Sequence, residues 1–281
     1  MTTRELTDAR IAAYAQYLRA EEHAPATVEK YIRDIRSFAA WVNGSTVTKE
    51  LSARWKASLI AEGLAPATVN AKLSAINGLF CFLNWEDCRV KFLKLQRRAF
   101  RDDSRELTKE EYTRLLDAAE SSGIPWLETL LQTICATGIR VSEVRYITVE
   151  AAQTGRTEVS LKGKIRTILL PGKLCRKLLK YARKMKITSG EIFLTKEGKS
   201  VTRHQIWRRM KALCKGAGVE ATKVFPHNLR HLFAATFYRA TRDIVKLADV
   251  LGHSSINTTR IYLLSTGAEH VRQLDRLGLV S

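Results

Sequence analysis

The chain has 281 residues, of which 45% are hydrophobic and 27% are charged, so a disordered chain is excluded. The length fits two domains, since one domain usually has about 100–200 residues. The net charge of +19 favours a polyanionic partner. As this partner, nucleic acid is favoured over an anionic membrane surface because binding to phosphates releases counterions. A basic protein without such a partner is the alternative.

Several other classes of protein are also excluded. No segment reaches the about 18 apolar residues of a membrane span, and the N-terminus lacks the apolar stretch of a signal peptide. The five cysteines are odd in number and lack C-x-x-C spacing. This pattern predicts reduced thiols in a cytoplasmic protein and no zinc site. We therefore expect no metal and no other cofactor.

The first part of the chain, from Thr7 to about Leu95, has helical periodicity. Within it the sequence Ala24–Val28 recurs as Ala65–Val69, and each copy contains a proline of the kind that opens a helix. We expect a bundle of about four helices in a domain spanning residues 1–96. Basic residues between its apolar positions are candidates for contacts with a DNA backbone: Lys30, Arg33, Arg36 and Lys72.

The remainder predicts a charged linker at 97–106 and a second domain at 107–281. The second domain opens with a capping box formed by Thr108 and Glu111. The pattern then predicts helices at about 126–137, 174–184, 203–217, 226–240 and 243–251. Segments 157–161 and 167–170 are β-like, and Glu191–Leu194 is a candidate third strand. The predicted fold class is mainly α with a small antiparallel β-sheet.

Four short segments of this second domain carry side chains suited to a phosphate. Each segment alone is more often structural than functional. In chain order they are Thr137–Glu143 with Arg140, the pair Lys162 and Lys164, His227–His231 with Arg230, and Gly252-His253 followed by Tyr262.

Together, the order Arg, Lys, His-x-x-Arg, Gly-His, Tyr resembles the tyrosine recombinases, also called the phage integrase family. The spacings from Arg230 to His253 and from His253 to Tyr262 are similar to those of Xer-type members. The resemblance covers nearly the whole chain. It implies a core DNA-binding domain at 1–96 and a catalytic domain at 107–281. No segment is left for the arm-binding domain of lambda-like integrases, so a two-domain member is expected.

The resemblance implies cleavage and rejoining of DNA through a 3′-phosphotyrosyl intermediate, with Tyr262 as the nucleophile. Arg140 and Arg230 offer donors to the non-bridging phosphate oxygens, which gain charge in the transition state. His227 and His253 add further donors, and His227 resembles the family residue that acts in acid–base catalysis. With so many cations, neither a metal nor ATP is expected.

The leaving 5′ oxygen needs a proton, and a lysine between the two β-like segments can supply it. Lys162 is the preferred candidate because Lys-Gly after a strand resembles the family motif. Lys164 is the alternative, and otherwise a DNA contact. Glu143 is expected to orient Arg140.

The resemblance also implies partners. One partner is double-stranded DNA with inverted-repeat core sites, and the protein itself is expected to form a homo-tetramer that holds two duplexes. The expected location is the cytoplasm of a bacterial-type cell, in association with the nucleoid. In the tail 266–279, apolar residues recur every three positions, as on one face of a short helix: Val271, Leu274 and Leu277. Such a helix needs a partner surface. We expect it to dock on a neighbouring subunit, with docking in cis as the alternative.

The biological reaction predicted first is integration or excision of a mobile element. The alternatives are a Xer-type chromosome or plasmid dimer resolvase, a type IB topoisomerase, and an architectural DNA-binding protein that has lost catalysis. The presence of all six catalytic candidates argues against the last.

Overall fold

The computed structural model describes residues 4–95, 105–161, 164–262 and 275–277. The chain divides into two compact units, residues 1–97 and 98–281. Helices dominate both units, and the described strands form a single two-stranded antiparallel sheet. The predicted fold class, mainly α with a small antiparallel sheet, is confirmed. Within the described ranges, no helix is long and apolar enough to cross a membrane.

The first unit contains four helices: α1 (Asp8–Ala20), α2 (Pro25–Val42), α3 (Lys49–Ala61) and α4 (Pro66–Phe82). A short 3₁₀ helix, Glu86–Cys88, follows them. The repeated sequence opens α2 and α4 in the same way, because Ala24 and Ala65 both have φ −56° and ψ 137°. In each case proline occupies the first turn, where its missing N–H costs no hydrogen bond.

The second unit carries eight described helices: α5 (Lys109–Ser121), α6 (Leu127–Thr137), α7 (Val149–Thr154), α8 (Gly172–Lys184), α9 (Arg203–Ala217), α10 (Pro226–Thr241), α11 (Ile244–Leu251) and α12 (Ile256–Arg260). A 3₁₀ helix, Val141–Tyr146, follows α6. The predicted capping box opens α5, since Thr108 and Glu111 each bond the backbone of the other. The predicted linker falls largely on residues outside the described ranges, as does most of the predicted C-terminal helix.

The sheet pairs β1 (Arg156–Leu161) with β2 (Lys164–Leu169), and Leu161 stands opposite Lys164. The second strand therefore begins earlier than the β-like segment 167–170 predicted. The charged residues at the start of β2 lack a β-like pattern, so the predicted strand begins too late. Arg166 nevertheless fits a strand because it faces a buried carboxylate.

The segment Glu191–Leu194 was expected as a third strand, and this expectation is wrong. Glu191 and Leu194 make only isolated bridges, to Thr148 and Ser200. Ile192 and Phe193 between them are buried in the core of the second unit. The apolar pattern thus reflects the burial of an irregular segment rather than pairing in the sheet.

Two close approaches bring together parts of three helices. Gly138, just after α6, has φ +63°, and a Cβ there would overlap the ring of Phe233 on α10 and lie 2.9 Å from Leu251 on α11. Glycine is thus required by both backbone conformation and space. The end of α6, the middle of α10 and the end of α11 consequently meet at one point.

Candidate active site

Arg140 lies between α6 and the following 3₁₀ helix, and a buried carboxylate holds it. Glu143 is 1% exposed. Its Oε2 accepts from the Arg140 backbone N–H (2.7 Å), and its Oε1 accepts from Arg140 Nη1 (3.1 Å). The Arg140 side chain is 43% exposed, so its remaining donors face solvent. As expected from the sequence, Glu143 orients Arg140.

Arg230 is buried at the meeting point of the three elements, with 1% exposure. It donates to the carbonyl oxygens of Gly138 and Leu251, the second at 2.8 Å. Burial lowers the pKa of Arg230, while its interaction with the Tyr262 side chain raises it. One turn earlier on α10, His227 lies at the cleft surface on the same helix face. Burial and then Arg230 and Arg140 lower the pKa of His227.

His253 follows Gly252, which ends α11 with φ +64°. Its Nε2 lies 2.9 Å from Arg230 Nη2, and its Nδ1 lies 2.8 Å from Thr259 Oγ1. A guanidinium can only donate, so Nε2 accepts and Nδ1 carries the hydrogen. Burial and the nearby arginines lower the pKa of His253 to about 4. The imidazole is therefore neutral at pH 7.

Tyr262 lies in the same cluster, just after α12, and is 3% exposed. It packs with a small group of apolar residues on α10 and α11: Ala234, Leu247 and Leu251. Three imidazole rings surround its ring, with centroid distances of 4.3 Å to His231, 5.8 Å to His253 and 6.0 Å to His227. Five of the six predicted catalytic residues are thus gathered within one unit of the chain.

The sixth predicted catalytic residue, Lys162, lies outside the described residues. Lys164 opens β2, and its strand position is known but not the surroundings of its side chain. Both lysines therefore stay candidates for the same role.

A cleft of about 770 Å³ opens beside Arg140, His227 and Arg230. The first turns of α9 also line it, with Arg203, His204 and Trp207. Sequence reasoning missed these residues, because the helical periodicity does not show that they line a cleft. Trp207 is 46% exposed on a helix whose core positions carry other apolar residues, and a large exposed aromatic beside cations is typical of a ligand-binding surface.

Two further residues of the cluster were also missed. His231 was part of the recognised segment but received no role, and its ring meets that of Tyr262 edge to face at 67°. Arg166 falls between the two predicted β-like segments and received no role, whereas its Nη2 donates to Glu143 Oε2 (2.9 Å). Among the described residues, no group of three or more His, Cys, Asp or Glu side chains could hold a metal ion.

The four basic candidates of the first unit differ in their surroundings. Asp34 is buried, at 5% exposure, and pairs with Lys30 at 3.0 Å and Lys72 at 3.7 Å. Arg33 and Arg36 instead border a cavity of about 500 Å³ between α1 and α2. Lys30 and Lys72 thus compensate a buried charge, while the arginines stay exposed.

Comparison with known proteins defines the class. Residues 105–269 match the phage integrase family, and residues 11–87 match the N-terminal SAM-like domain of phage integrases. The chain belongs to the phage integrase family. It is a tyrosine recombinase, an enzyme of DNA recombination.

Its relatives include Xer proteins along nearly their full length. The chain is 27% identical to tyrosine recombinase XerA of Pyrococcus furiosus, covering 97% of this chain and 95% of the relative. It is 28% identical to XerD of Bifidobacterium longum, covering 85% and 86%. A lambda integrase tetramer on a Holliday junction has the same fold, with a TM-score of 0.75 at 18% identity, over 93% of this chain and 78% of that one.

Proposed function

We propose that this chain is a site-specific recombinase that cleaves and rejoins DNA through a 3′-phosphotyrosyl intermediate formed on Tyr262. The observation that carries the proposal is the packing of Tyr262 against three imidazoles, with Arg230 interacting with its side chain. A phenol in such surroundings suits attack on a phosphodiester more than a packing role.

In the forward step, the Tyr262 oxygen attacks phosphorus and forms the Tyr–O–P bond, while the P–O5′ bond breaks. Arg140 and Arg230 neutralise the non-bridging oxygens, whose charge increases in the pentavalent transition state. Arg140 is already exposed toward the cleft, whereas Arg230 has to exchange carbonyl partners for phosphate. Rejoining is the reverse attack by a 5′ hydroxyl, so no ATP is consumed.

Two proton transfers accompany the exchange. The Tyr262 proton passes to a base, and His227 suits this role because its lowered pKa keeps the imidazole neutral and able to accept. The departing 5′ oxygen takes a proton from a lysine of the β1–β2 hairpin, with Lys162 preferred and Lys164 as the alternative. His253 accepts from Arg230 in the free protein, and so supports Arg230 before it meets a phosphate.

The partner we infer is double-stranded DNA with inverted-repeat core sites, bound by a homo-tetramer in the nucleoid. The net charge of +19 and the basic, aromatic face of α9 support a DNA partner. Two structures with the same fold contain DNA: XerH on its difH substrate, with a TM-score of 0.68, and the lambda integrase tetramer on a Holliday junction. We assign a tetramer on DNA to this chain only as part of the proposal.

Two biological reactions fit this chemistry. We place integration or excision of a mobile element first, since the Tn1549 transposon integrase shares the fold with a TM-score of 0.71. Resolution of chromosome or plasmid dimers is the second candidate, and full-length coverage of XerA favours it. Mapping the cleaved sequence separates the two, because a dimer-resolution site lies in the chromosome or plasmid and an integration site lies at element ends.

The test of the chemistry uses duplexes selected from a randomised pool for binding to the full chain. Each is nicked at a series of positions so that the cleaved 5′-hydroxyl fragment diffuses away and traps the adduct. We expect a protease-sensitive protein–DNA adduct on denaturing gels that disappears in Tyr262→Phe. Tyr238→Phe, the same change at a tyrosine of α10, should keep it. Absence of any adduct from wild-type protein on duplexes it binds overturns the proposal.

Strand exchange between two duplexes is the second readout. Recombinant products from two labelled duplexes identify a recombinase, whereas relaxation of supercoiled DNA without exchange identifies a topoisomerase-like reaction.

A further inference from the structure

Arg166, on β2, makes contacts that join separate parts of the active centre. Its Nη2 donates to Glu143 Oε2 (2.9 Å), and its Nη1 donates to the Leu251 carbonyl oxygen. It leaves the sheet toward the meeting point of α6, α10 and α11, and its side chain is 12% exposed. The arginine therefore connects the hairpin to the elements that carry the other functional side chains.

The first connection leads to Arg140. Glu143 accepts hydrogen bonds from Arg140 and from Arg166, with Oε2 shared between the Arg140 backbone and Arg166 Nη2. A carboxylate with two cationic partners has one preferred orientation, because a rotation that improves one pair weakens the other. Removal of Arg166 would free Glu143 to turn, and Arg140 would turn with it.

The second connection leads to Arg230 and His253. The Leu251 carbonyl oxygen accepts from both Arg166 and Arg230. The next residue, Gly252, is covered by Arg166, since a Cβ at this position would overlap Arg166 Cδ and lie 2.9 Å from Nη1. Arg166 consequently fixes the turn that leads into His253.

The burial of Arg166 is costly. Burial is the main cause that lowers the pKa of Arg166 to about 10; Glu143 opposes this effect, and the positive charges of Arg230 and Arg140 contribute to it. Its Nε is buried without a hydrogen-bond partner, the single such side-chain atom among the described residues. Three arginines placed together repel one another, so a merely structural brace would be better served by an uncharged side chain.

We propose that Arg166 is a positioning residue that ties the β1–β2 hairpin, with its general-acid lysine, to both phosphate-binding arginines. The inference rests on the proposed function. Through Glu143 and the Leu251 carbonyl, one guanidinium holds strand β2, which follows the proposed acid in the hairpin, against the elements that carry Arg140 and Arg230. Its loss therefore affects protonation and charge stabilisation together.

The test compares Arg166→Met, Arg166→Lys and the control Arg156→Met, an exposed arginine on the same hairpin. Three substrates report on the two functions. One is the natural phosphodiester; one has sulfur in place of the leaving 5′ oxygen and needs no proton; one is a methylphosphonate, which lacks the negative charge that the arginines neutralise. Single-turnover adduct formation is measured on each, with thermal unfolding followed by circular dichroism.

We expect Arg166→Met to slow cleavage of the phosphodiester by about 100-fold, the effect of a small misplacement of catalytic groups. Each altered substrate should recover part of the loss, because each removes one of the two defects. Arg166→Lys keeps the charge but cannot span Glu143 and Leu251 at once, so it should fold and lose about 10-fold. Arg156→Met should match wild type.

Two outcomes overturn the inference: an unchanged rate for Arg166→Met or Arg166→Lys on the phosphodiester, or an equal loss on all three substrates. If Arg166→Met fails to fold, the substrate pattern of Arg166→Lys decides. Failure of the proposed function looks different, since wild-type protein would then form no Tyr262 adduct on any substrate.

Discussion

The neutral imidazole of His253 illustrates how single residues at this site respond to their neighbours. Its Nε2 accepts from Arg230, and protonation would replace that acceptor with a donor facing a guanidinium. The folded protein therefore resists protonation at His253, whereas the unfolded chain takes up the proton at the ordinary histidine pKa of about 6.5.

This difference predicts a loss of stability in acid. Between about pH 6.5 and pH 4 the unfolded chain binds more protons at this position than the folded one, so the free energy of unfolding falls as pH falls. Urea unfolding at pH 7.5 and 5.0 measures the decrease. His253→Asn keeps an acceptor without a titrating group and should show a smaller decrease than wild type. An equal decrease in both proteins contradicts the expected role of His253.

At the scale of elements, the β1–β2 hairpin holds the proton donor we propose. Alanine at Lys162 should slow cleavage of a phosphodiester by about 10²–10⁴-fold, the usual contribution of a general acid. A substrate with a 5′ sulfur leaving group should restore most of the rate, because a thiolate leaves unprotonated. Lys164→Ala, two residues away on the same hairpin, is the matched control and should retain cleavage. Restoration seen only for Lys164→Ala would assign the acid to Lys164.

The elements themselves were largely predictable because local rules set their limits. The helix Arg203–Ala217 was expected with the bounds it has, since Thr202 caps its start and Gly218 ends it in the left-handed conformation. The prediction of a third strand was wrong because buried apolar residues in an irregular segment have the same pattern as a strand. Arg166 fell outside the predicted β-like segment 167–170, and its inward direction depends on Glu143, 23 residues earlier in the sequence.

The site was predictable in part for a similar reason. Arg140, His227, Arg230, His253 and Tyr262 follow one another in a recognisable order, so a family pattern finds them without coordinates. The face of α9 has no such order. Trp207 becomes a candidate binding residue only because the fold places it in the same cleft as His227. The periodicity of the helix itself does not show this placement.

At the scale of the whole molecule, the excess of positive charge is not evenly available. Part of it neutralises buried carboxylates, as Lys30 and Lys72 do for Asp34. The charge that remains available for the DNA binding we propose includes Arg33 and Arg36, which are exposed. Net charge alone therefore overstates the number of phosphate contacts.

This distinction predicts different consequences for a double variant and a single variant. Replacing Arg33 and Arg36 with glutamine should weaken DNA binding and lower the slope of log K against log salt by about 1–2, without changing stability. Lys72→Gln should lower the free energy of unfolding by about 1 kcal/mol, because Asp34 loses a partner. Fluorescence anisotropy over a salt series and urea unfolding measure the two effects. An unchanged salt slope in the double variant excludes those arginines from the DNA contacts.

The carbonyl oxygen of Leu251 belongs to the main chain, and this has a consequence for how the enzyme can change over time. Every amino acid offers the same oxygen at position 251, so the acceptor shared by two guanidinium groups survives any point mutation there that leaves the backbone path intact. Mutations can therefore change the surrounding apolar contacts while the carbonyl oxygen still accepts both hydrogen bonds. Replacing the amide between positions 251 and 252 with an ester, by chemical synthesis, would weaken the anchor while leaving every side chain in place.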